Sequence, residues 1–244
     1  MKTRTIVCNV GLFCLGCLIG CVATWGYLRG EWSNGGVAGN GRYVGEADDN
    51  YQGIDVSHYQ GEIDWAQVAT DDKIQFVYIK ATEGASYVDK CYVRNNREAR
   101  KQGLKVGAYH YLKRGSSIQA QFANFRSMVK KEMQDLVPMV DVEERVGRED
   151  LAEFCRLVEA HYGKRPVIYS TNRMYNACCA PRFNDYILMI GRYGKKKPVI
   201  KGRGHYNIWQ YSERGKINGI ARPVDLDRLH PDFRVSKLYL HKGG

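Results

Sequence analysis

Apolar and polar positions follow two different periods from residue 51 onward. Short runs rich in Val, Ile and Tyr predict strands, and between them lie stretches with the three-to-four-residue spacing of amphipathic helices. The predicted strands cover residues 53–57, 76–81, 105–112, 136–143, 166–170, 186–193, 206–211 and 223–226. The predicted helices cover residues 94–102, 118–131 and 151–162. Such alternation is typical of a mainly parallel sheet, so we predict an α/β fold. We expect an irregular (β/α) barrel, TIM-barrel-like, with some helices of its second half short or missing.

The first 29 residues have the pattern of an export signal. Lys2 and Arg4 precede an uncharged run over residues 5–28, which is long enough to span a bilayer as a helix. The positive start predicts a cytoplasmic N-terminus and export of the rest of the chain. Residues 18–21 (LIGC) resemble a lipobox with Cys21 as the lipidated residue, whereas continuation of the apolar run to residue 28 favours a signal anchor. Both alternatives stay open. The glycine-rich residues 30–50 predict a flexible linker, and the folded domain is predicted over residues 51–240.

The charge of the chain favours an acidic partner. Because 37 Lys and Arg stand against 26 Asp and Glu, the net charge is +11, which suits nucleic acid, acidic lipid or the anionic polymers of a cell wall. The sequence contains no nucleic-acid-binding motif, so we expect no nucleic acid partner. The cysteines have no zinc-binding pattern, and the four in the domain can pair outside the cell or stay reduced.

Two carboxylates end the predicted strand over residues 136–143. Side chains alternate along a strand, so Asp141 and Glu143 share one face with the apolar Val137 and Met139. The C-terminal ends of parallel barrel strands are where active sites gather. Two positions along a strand place Cα atoms about 6.5–7 Å apart, within the range in which paired carboxylates act on a glycosidic bond. For this motif alone, a surface acidic cluster is the competing interpretation.

Two further strands carry acids at corresponding places. Asp55 ends the first predicted strand, and Asp225 follows Val224 in the last one. Acids from three strands predict one convergent pocket, in which repulsion between like charges raises the pKa of at least one carboxyl. The rival hypothesis is a metal site in which these acids hold a hard cation, or His58 or His110 a softer one. We expect no metal and no cofactor.

Seven motifs occur in a fixed order over residues 51–230: GIDVSHYQG, YIKATEG, VGAYHY, MVDVEE, VIYS, NIWQYS and VDLD. Together they closely resemble glycoside hydrolase family 25, the Chalaropsis-type lysozymes. The resemblance implies an irregular β/α barrel that cleaves the β-1,4 bond between N-acetylmuramic acid and N-acetylglucosamine in peptidoglycan, without metal. It also implies that Glu143 is the general acid, that Asp141 stabilises the charged intermediate, and that Asp55 and Asp225 are supporting acids. The resemblance further implies that configuration at the cleaved bond is retained, with the substrate acetamide as nucleophile.

The resemblance also favours four aromatic residues for substrate contact: Tyr109, Tyr169, Tyr193 and Trp209. Two positions depart from the family pattern, because Met189 stands where most relatives have Trp and Asp227 where they have Asn. We expect the first to alter a sugar-stacking surface and the second to add a charge near the pocket. Lys80 and Glu83 form either a structural ion pair or part of the ligand site.

The expected partners are peptidoglycan glycan strands and a membrane held through the N-terminus. We expect a monomer in the cell envelope, with its catalytic domain outside the cytoplasm. Two other functions stay open: a non-catalytic wall-binding module that kept the fold, and a glycosidase acting on another amino-sugar polymer such as chitin. Loss of Glu143 or Asp141 would have indicated the former, and both are present.

Overall fold

A computed structural model of the protein describes residues 50–202 and 204–241. The predicted signal over residues 1–29, with the lipidation candidate Cys21, lies outside these residues, as does the predicted linker except for Asn50. No helix in the described part of the chain is long and apolar enough to cross a membrane. The four cysteines of the domain are free thiols in this structure.

The described residues form nine strands and five α-helices. The strands are β1 (Gly53–Val56), β2 (Phe76–Glu83), β3 (Tyr87–Val88), β4 (Val106–Tyr111), β5 (Met139–Asp141), β6 (Val167–Thr171), β7 (Leu188–Gly191), β8 (Ile208–Gly215) and β9 (Val224–Leu229). The helices are α1 (Trp65–Val68), α2 (Tyr92–Lys101), α3 (Ile118–Met128), α4 (Arg148–Tyr162) and the single turn α5 (Asn172–Met174), which continues into a π-helical turn over Tyr175–Cys179.

Eight of these strands close into a barrel. Their order around the ring is β1-β9-β8-β7-β6-β5-β4-β2, and pairing of β1 with β2 closes it, while β3 extends β2 on the outside. All ring neighbours are parallel except at β9, which runs antiparallel to both β1 and β8. The predicted irregular β/α barrel is therefore confirmed, and the short strand β3 was not predicted.

The two halves of the barrel are connected differently. In the first half, α2, α3 and α4 form the crossovers that parallel neighbours require. After β6 the crossover contains only α5 and the π-helical turn, and no helix joins β7 to β8 or β8 to β9 in the part of the chain that the structure describes. Residues 212–223 carry no apolar stripe that a helix would bury. The chain therefore returns directly from β8 as the antiparallel β9.

Large aromatic side chains fill the barrel interior near the N-terminal end of β2. Phe76 and Tyr78 on β2 are fully buried and occupy the space that two glycines on neighbouring strands leave open. A Cβ atom at Gly53 would lie 2.1 Å from the Phe76 ring, and one at Gly107 would lie 2.5 Å from the Tyr78 ring. The Tyr78 hydroxyl donates to the Val137 carbonyl at 3.0 Å. Because these side chains fill this part of the interior, polar side chains can group at the C-terminal ends of the strands.

Candidate active site

The four acids predicted to form a pocket lie together at the C-terminal ends of the strands. Asp55 of β1 is in register with Asp225 of β9, and Asp141 ends β5, with Glu143 two residues beyond it. Burial raises the pKa of Asp55, Asp141 and Asp225, and the negative charge of Glu143 raises the pKa of each further. The structure thus brings all four carboxyls within electrostatic reach of one another, and we call them the acid cluster.

Tyr109 on β4 lies at the centre of the acid cluster. Burial raises the pKa of its hydroxyl well above the usual value, and the charges of all four acids add to this effect: Asp55, Asp141, Asp225 and Glu143. A phenol affected by all four carboxyls must face the space between them. The structure therefore brings Tyr109 into the acid cluster.

Gln210 of β8 connects Asp55 to two of the predicted tyrosines. Its Nε2 donates to Asp55 Oδ2 at 2.8 Å, and its Oε1 accepts from the hydroxyls of Tyr169 at 2.7 Å and Tyr193 at 3.2 Å. Gly191 of β7 lies between these strands, and a Cβ atom there would come within 2.7 Å of the Tyr169 hydroxyl. Tyr169 is buried, whereas Tyr193 is 51% exposed. Tyr193 is therefore the member of this network that a polymer in solvent can touch.

On the β1–β9 side, burial raises the pKa of both acids. Burial raises the pKa of Asp55 to about 7, although the hydrogen bond from Gln210 opposes the rise. Burial also raises the pKa of Asp225 to about 9, with the charges of Asp55, Glu213 and Glu143 contributing. At mildly acidic pH these two carboxyls are neutral and can donate hydrogen bonds.

Asp141 and Glu143 form the other side of the acid cluster. Asp141 is buried, and its Oδ1 has no hydrogen-bond partner in the structure, whereas Glu143, two residues beyond the end of β5, is exposed. Burial and then the charge of Glu143 raise the pKa of Asp141. Desolvation of the Glu143 carboxyl raises its pKa, and the charge of Lys80 opposes this rise. Two carboxyls whose charges act on each other release their protons in steps that belong to the pair. Over an intermediate pH range the pair therefore holds one proton.

A chain of ion pairs borders this side of the cluster. Lys80 Nζ lies 2.7 Å from Glu83 Oε2, and Lys113 Nζ lies 3.7 Å from Glu83 Oε1 and 2.6 Å from Glu144 Oε1. The sequence left open whether Lys80 and Glu83 pair with each other or serve as ligands, and the structure shows the ion pair.

Trp209 and Met189 are both buried side chains. Trp209 is buried on the face of β8 opposite Gln210, its Nε1 donates to the Arg192 carbonyl at 2.7 Å, and the Arg228 guanidinium lies 5.6 Å from its ring centre. The structure therefore does not bring Trp209 into the acid cluster. Met189 is fully buried on β7, in register with Tyr169, and its effect on a sugar-stacking surface stays a prediction.

The two histidines proposed as alternative metal ligands hydrogen-bond to residues outside the acid cluster. His110 points outward from the barrel, stacks on Phe154 of α4 at 4.9 Å, and hydrogen-bonds Thr82; burial lowers its pKa to about 4. His58 Nδ1 lies 2.8 Å from Asp89. Within residues 50–202 and 204–241, no group of three or more His, Cys, Asp or Glu side chains is arranged to hold a metal ion.

Asp227 lies beneath the acid cluster, two residues along β9 from Asp225 and next to Gly53 of β1. It is completely buried, and neither carboxyl oxygen has a hydrogen-bond partner in the structure. Burial, followed by the charges of Asp55 and Asp225, raises its pKa well above the usual value. Burial therefore opposes the charge that we expected Asp227 to add near the pocket.

Gln210 and Tyr111 are the site residues that the sequence did not single out. The motif NIWQYS contains Gln210 between two aromatic residues, and strand alternation predicts that it faces away from both. That signal was present, but the sequence did not indicate which face turns inward. Tyr111 of β4 is in register with Asp141 and would have been found by the same rule.

Comparison with known proteins agrees with this geometry. Residues 54–220 match the sequence model of the family described as Glycosyl hydrolases family 25. The uncharacterized protein YegX of Escherichia coli K12 is 37% identical over 72% of this chain and 68% of its own. Lysozyme M1 of Streptomyces globisporus is 30% identical over 80% of this chain and 73% of its own. The crystal structure of a bacterial lysozyme from Streptomyces coelicolor superposes with a TM-score of 0.69 at 28% identity, covering 78% of this chain and 96% of that one. The chain belongs to glycosyl hydrolases family 25.

Proposed function

We propose that this protein is a peptidoglycan muramidase that hydrolyses the β-1,4 bond between N-acetylmuramic acid and N-acetylglucosamine. The observation that carries the proposal is the acid cluster, in which four carboxyls meet at the C-terminal ends of the barrel strands. Relatives named lysozyme and N,O-diacetylmuramidase support the choice of substrate.

In the proposed mechanism, Glu143 donates its proton to the leaving glycosidic oxygen as the C1–O bond breaks. Glu143 suits this step because it is the exposed member of the pair. The acetamide oxygen of the muramic acid residue attacks C1, and Asp141 stabilises the positive oxazolinium ion that forms. Glu143 then takes a proton from water, which adds to C1 and restores the acetamide. Configuration at C1 is retained, and Glu143 regains its proton.

The supporting residues hold the sugar and the acids in place. Asp55 and Asp225, neutral at mildly acidic pH, donate hydrogen bonds to sugar hydroxyl or acetamide oxygens. Gln210 fixes the Asp55 carboxyl, while Tyr109 and Tyr193 present their rings to the glycan. Tyr169 contributes through Gln210, because its buried hydroxyl is already engaged there. No step in this scheme needs a metal ion.

The enzyme acts on wall material outside the cytoplasm, tethered through its N-terminal segment. This proposal rests on the positive start, the uncharged run over residues 5–28 and the glycine-rich linker. A linker of about 20 flexible residues gives a root-mean-square span of roughly 25 Å, so the enzyme would act close to the membrane that bears it. If Cys21 is lipidated, Cys21→Ala abolishes labelling by a fatty-acid probe. Labelling that persists in the variant contradicts lipidation at Cys21 and favours the signal anchor.

The proposal is tested with purified peptidoglycan, chitin and excess chelator. We expect the domain to release new reducing ends from peptidoglycan and none from chitin. Chelator should leave the rate of release from peptidoglycan unchanged. Release from chitin at a comparable rate would favour the broader amino-sugar glycosidase. Tight sedimentation with peptidoglycan without any reducing ends would favour a wall-binding module, and inhibition by chelator would revive the metal hypothesis.

A further inference from the structure

Lys80 is the single Lys or Arg among the described residues that is buried. Its side chain is 11% exposed and lies on β2, in register with Tyr109 of β4. Its ammonium group lies 5.1 Å from the ring centre of Tyr111, the residue in register with Asp141. Burying a charge is costly unless partners compensate for it. The position of this cation therefore calls for an explanation beyond its pairing with Glu83.

Lys80 interacts with the carboxylate of Glu83 and with the two acids Asp141 and Glu143. Glu83, its direct partner at 2.7 Å, is itself 31% exposed and also lies 3.7 Å from Lys113. On the inner side, the positive charge of Lys80 acts on Asp141 and Glu143 and favours their ionised forms, while the charge of Glu83 acts in the opposite sense. Lys80 and Glu83 are thus an opposed pair next to the two acids.

Among the described residues, every other titratable group that interacts with the charges of the acid pair is an acid or a phenol. These are Asp55 from β1, Glu83 from β2, Tyr109 and Tyr111 from β4, Tyr169 from β6, Tyr193 after β7 and Asp225 from β9. None of them supplies positive charge, and burial disfavours the ionised form of any carboxyl here. Without Lys80, both Asp141 and Glu143 would hold their protons to higher pH.

We propose that Lys80 is a positioning residue that sets the pH range in which the Asp141–Glu143 pair holds one proton. This inference rests on the proposed function, because catalysis then requires one protonated and one ionised acid. Glu83 tunes the effect of Lys80: it holds the ammonium group in place and partly offsets its charge. A purely structural ion pair would stabilise the fold and leave the pH dependence of the reaction unchanged.

The test is the pH profile of the initial rate on soluble peptidoglycan fragments below saturation, which reports on the free enzyme. In Lys80→Met, removal of the positive charge raises the pKa of both acids, so both limbs of the bell-shaped profile move to higher pH by about one unit, a shift typical of an opposite charge a few ångströms away. Lys80→Arg should keep the wild-type optimum. In Glu83→Gln the opposing charge is lost, so both limbs should move to lower pH.

Lys113→Met is the matched control. It also removes a lysine charge from Glu83, but this side chain is 40% exposed and solvent screens it. Its profile should stay within about 0.3 pH unit of wild type. If Lys80→Met does not fold, the proposal is tested by the shift of the Glu83→Gln pH profile to lower pH. Wild-type limbs in folded Lys80→Met, or in folded Glu83→Gln, would overturn the proposal.

Carbon-13 NMR titration of the side-chain carboxyls separates this inference from the proposed function. The titration midpoints of Asp141 and Glu143 should rise in Lys80→Met and fall in Glu83→Gln even without substrate. If wild-type protein releases no reducing ends at any pH and the midpoints still move, the proposed function fails and the electrostatic role of Lys80 stands. If the protein is an active muramidase and the midpoints do not move, the role of Lys80 fails alone.

Discussion

The two sides of the acid cluster contain the same kind of residue in opposite electrostatic surroundings. On the β5 side, Asp141 and Glu143 face the buried ammonium group of Lys80. On the β1–β9 side, Asp55 receives only a neutral amide hydrogen bond from Gln210, and Asp225 and Asp227 add further acids. Burial raises the pKa of carboxyls on both sides, but in the part of the chain that the structure describes a lysine charge opposes this rise only on the β5 side.

This difference assigns different tasks to the two sides. A carboxyl pair with a nearby cation can keep one negative charge, which stabilises a positive intermediate. Carboxyls without a cation remain neutral below their raised pKa values, about 7 for Asp55 and about 9 for Asp225, and then serve as hydrogen-bond donors. Identical side chains thus acquire distinct roles from burial and from one lysine.

The largest expected effect comes from removing the acid on the β5 side. Glu143→Gln cannot donate a proton to the leaving oxygen, so the rate of reducing-end release should fall by about 10³-fold. Glu144→Gln is the matched control, because Glu144 is adjacent to Glu143 in the chain but pairs with Lys113. Loss of the Glu144 charge should change the rate by less than about threefold. Circular dichroism checks that both variants fold. Comparable losses in the two variants would contradict the assignment of Glu143.

A smaller loss is expected from disrupting the β1–β9 side. Gln210→Leu removes the donor to Asp55 Oδ2 and the shared acceptor of Tyr169 and Tyr193. The Asp55 carboxyl is then no longer fixed, and the turnover rate should fall by about tenfold to hundredfold. Trp209→Phe, on the opposite face of β8, should retain turnover within about threefold once protein stability is matched. Equal losses would indicate that β8 acts only as structural support.

Asp227→Asn tests the cation-free side through stability. Its folded-state pKa is raised, so the stability that Asp227 contributes is fully present below its unfolded pKa of about 3.9 and is lost as pH rises toward the folded value. Between pH 4 and pH 6, wild type should lose up to about 1.4 kcal/mol per pH unit relative to the variant. Urea unfolding at both pH values measures this difference, and parallel pH dependence of the two proteins would contradict a neutral Asp227.

The smallest effect is expected at the exposed end of the Gln210 network. Tyr193→Phe removes one hydrogen bond from a half-exposed hydroxyl, which water can replace, so turnover should fall by about twofold to threefold. Tyr169→Phe removes a buried hydrogen bond to the same oxygen and should cost about fivefold to tenfold. Steady-state rates for the two variants give the order, and a larger loss for Tyr193→Phe would indicate a direct contact with the reacting sugar.

The sequence predicted the site best where local alternation was sufficient. Asp141 and Glu143 could be placed on one inward face because Val137 and Met139 share that face and are apolar. On β8 the same rule separates Trp209 from Gln210 without indicating which one turns inward. That choice depends on non-local neighbours, since Tyr169 and Gly191 on adjacent strands make room for the amide.

Ionisation was the part of the site that the sequence predicted least well. Asp227 was expected to add a charge, and Met189 to alter a sugar-stacking surface. Both side chains are fully buried, and their burial depends on the closed barrel rather than on neighbouring residues in the chain. In contrast, the missing helices of the second half were predicted correctly, because residues 212–223 lack the apolar stripe that a packed helix needs.

The most direct test of the central claim is the identity of the sugar at the new reducing ends. Purified peptidoglycan is digested with wild type and with Glu143→Gln, the products are reduced with borohydride, and their sugar alcohols are identified by mass spectrometry. We predict reduced N-acetylmuramic acid from the wild-type digest and none above background from Glu143→Gln. Reduced N-acetylglucosamine as the new end, or equal product from both proteins, would contradict the account.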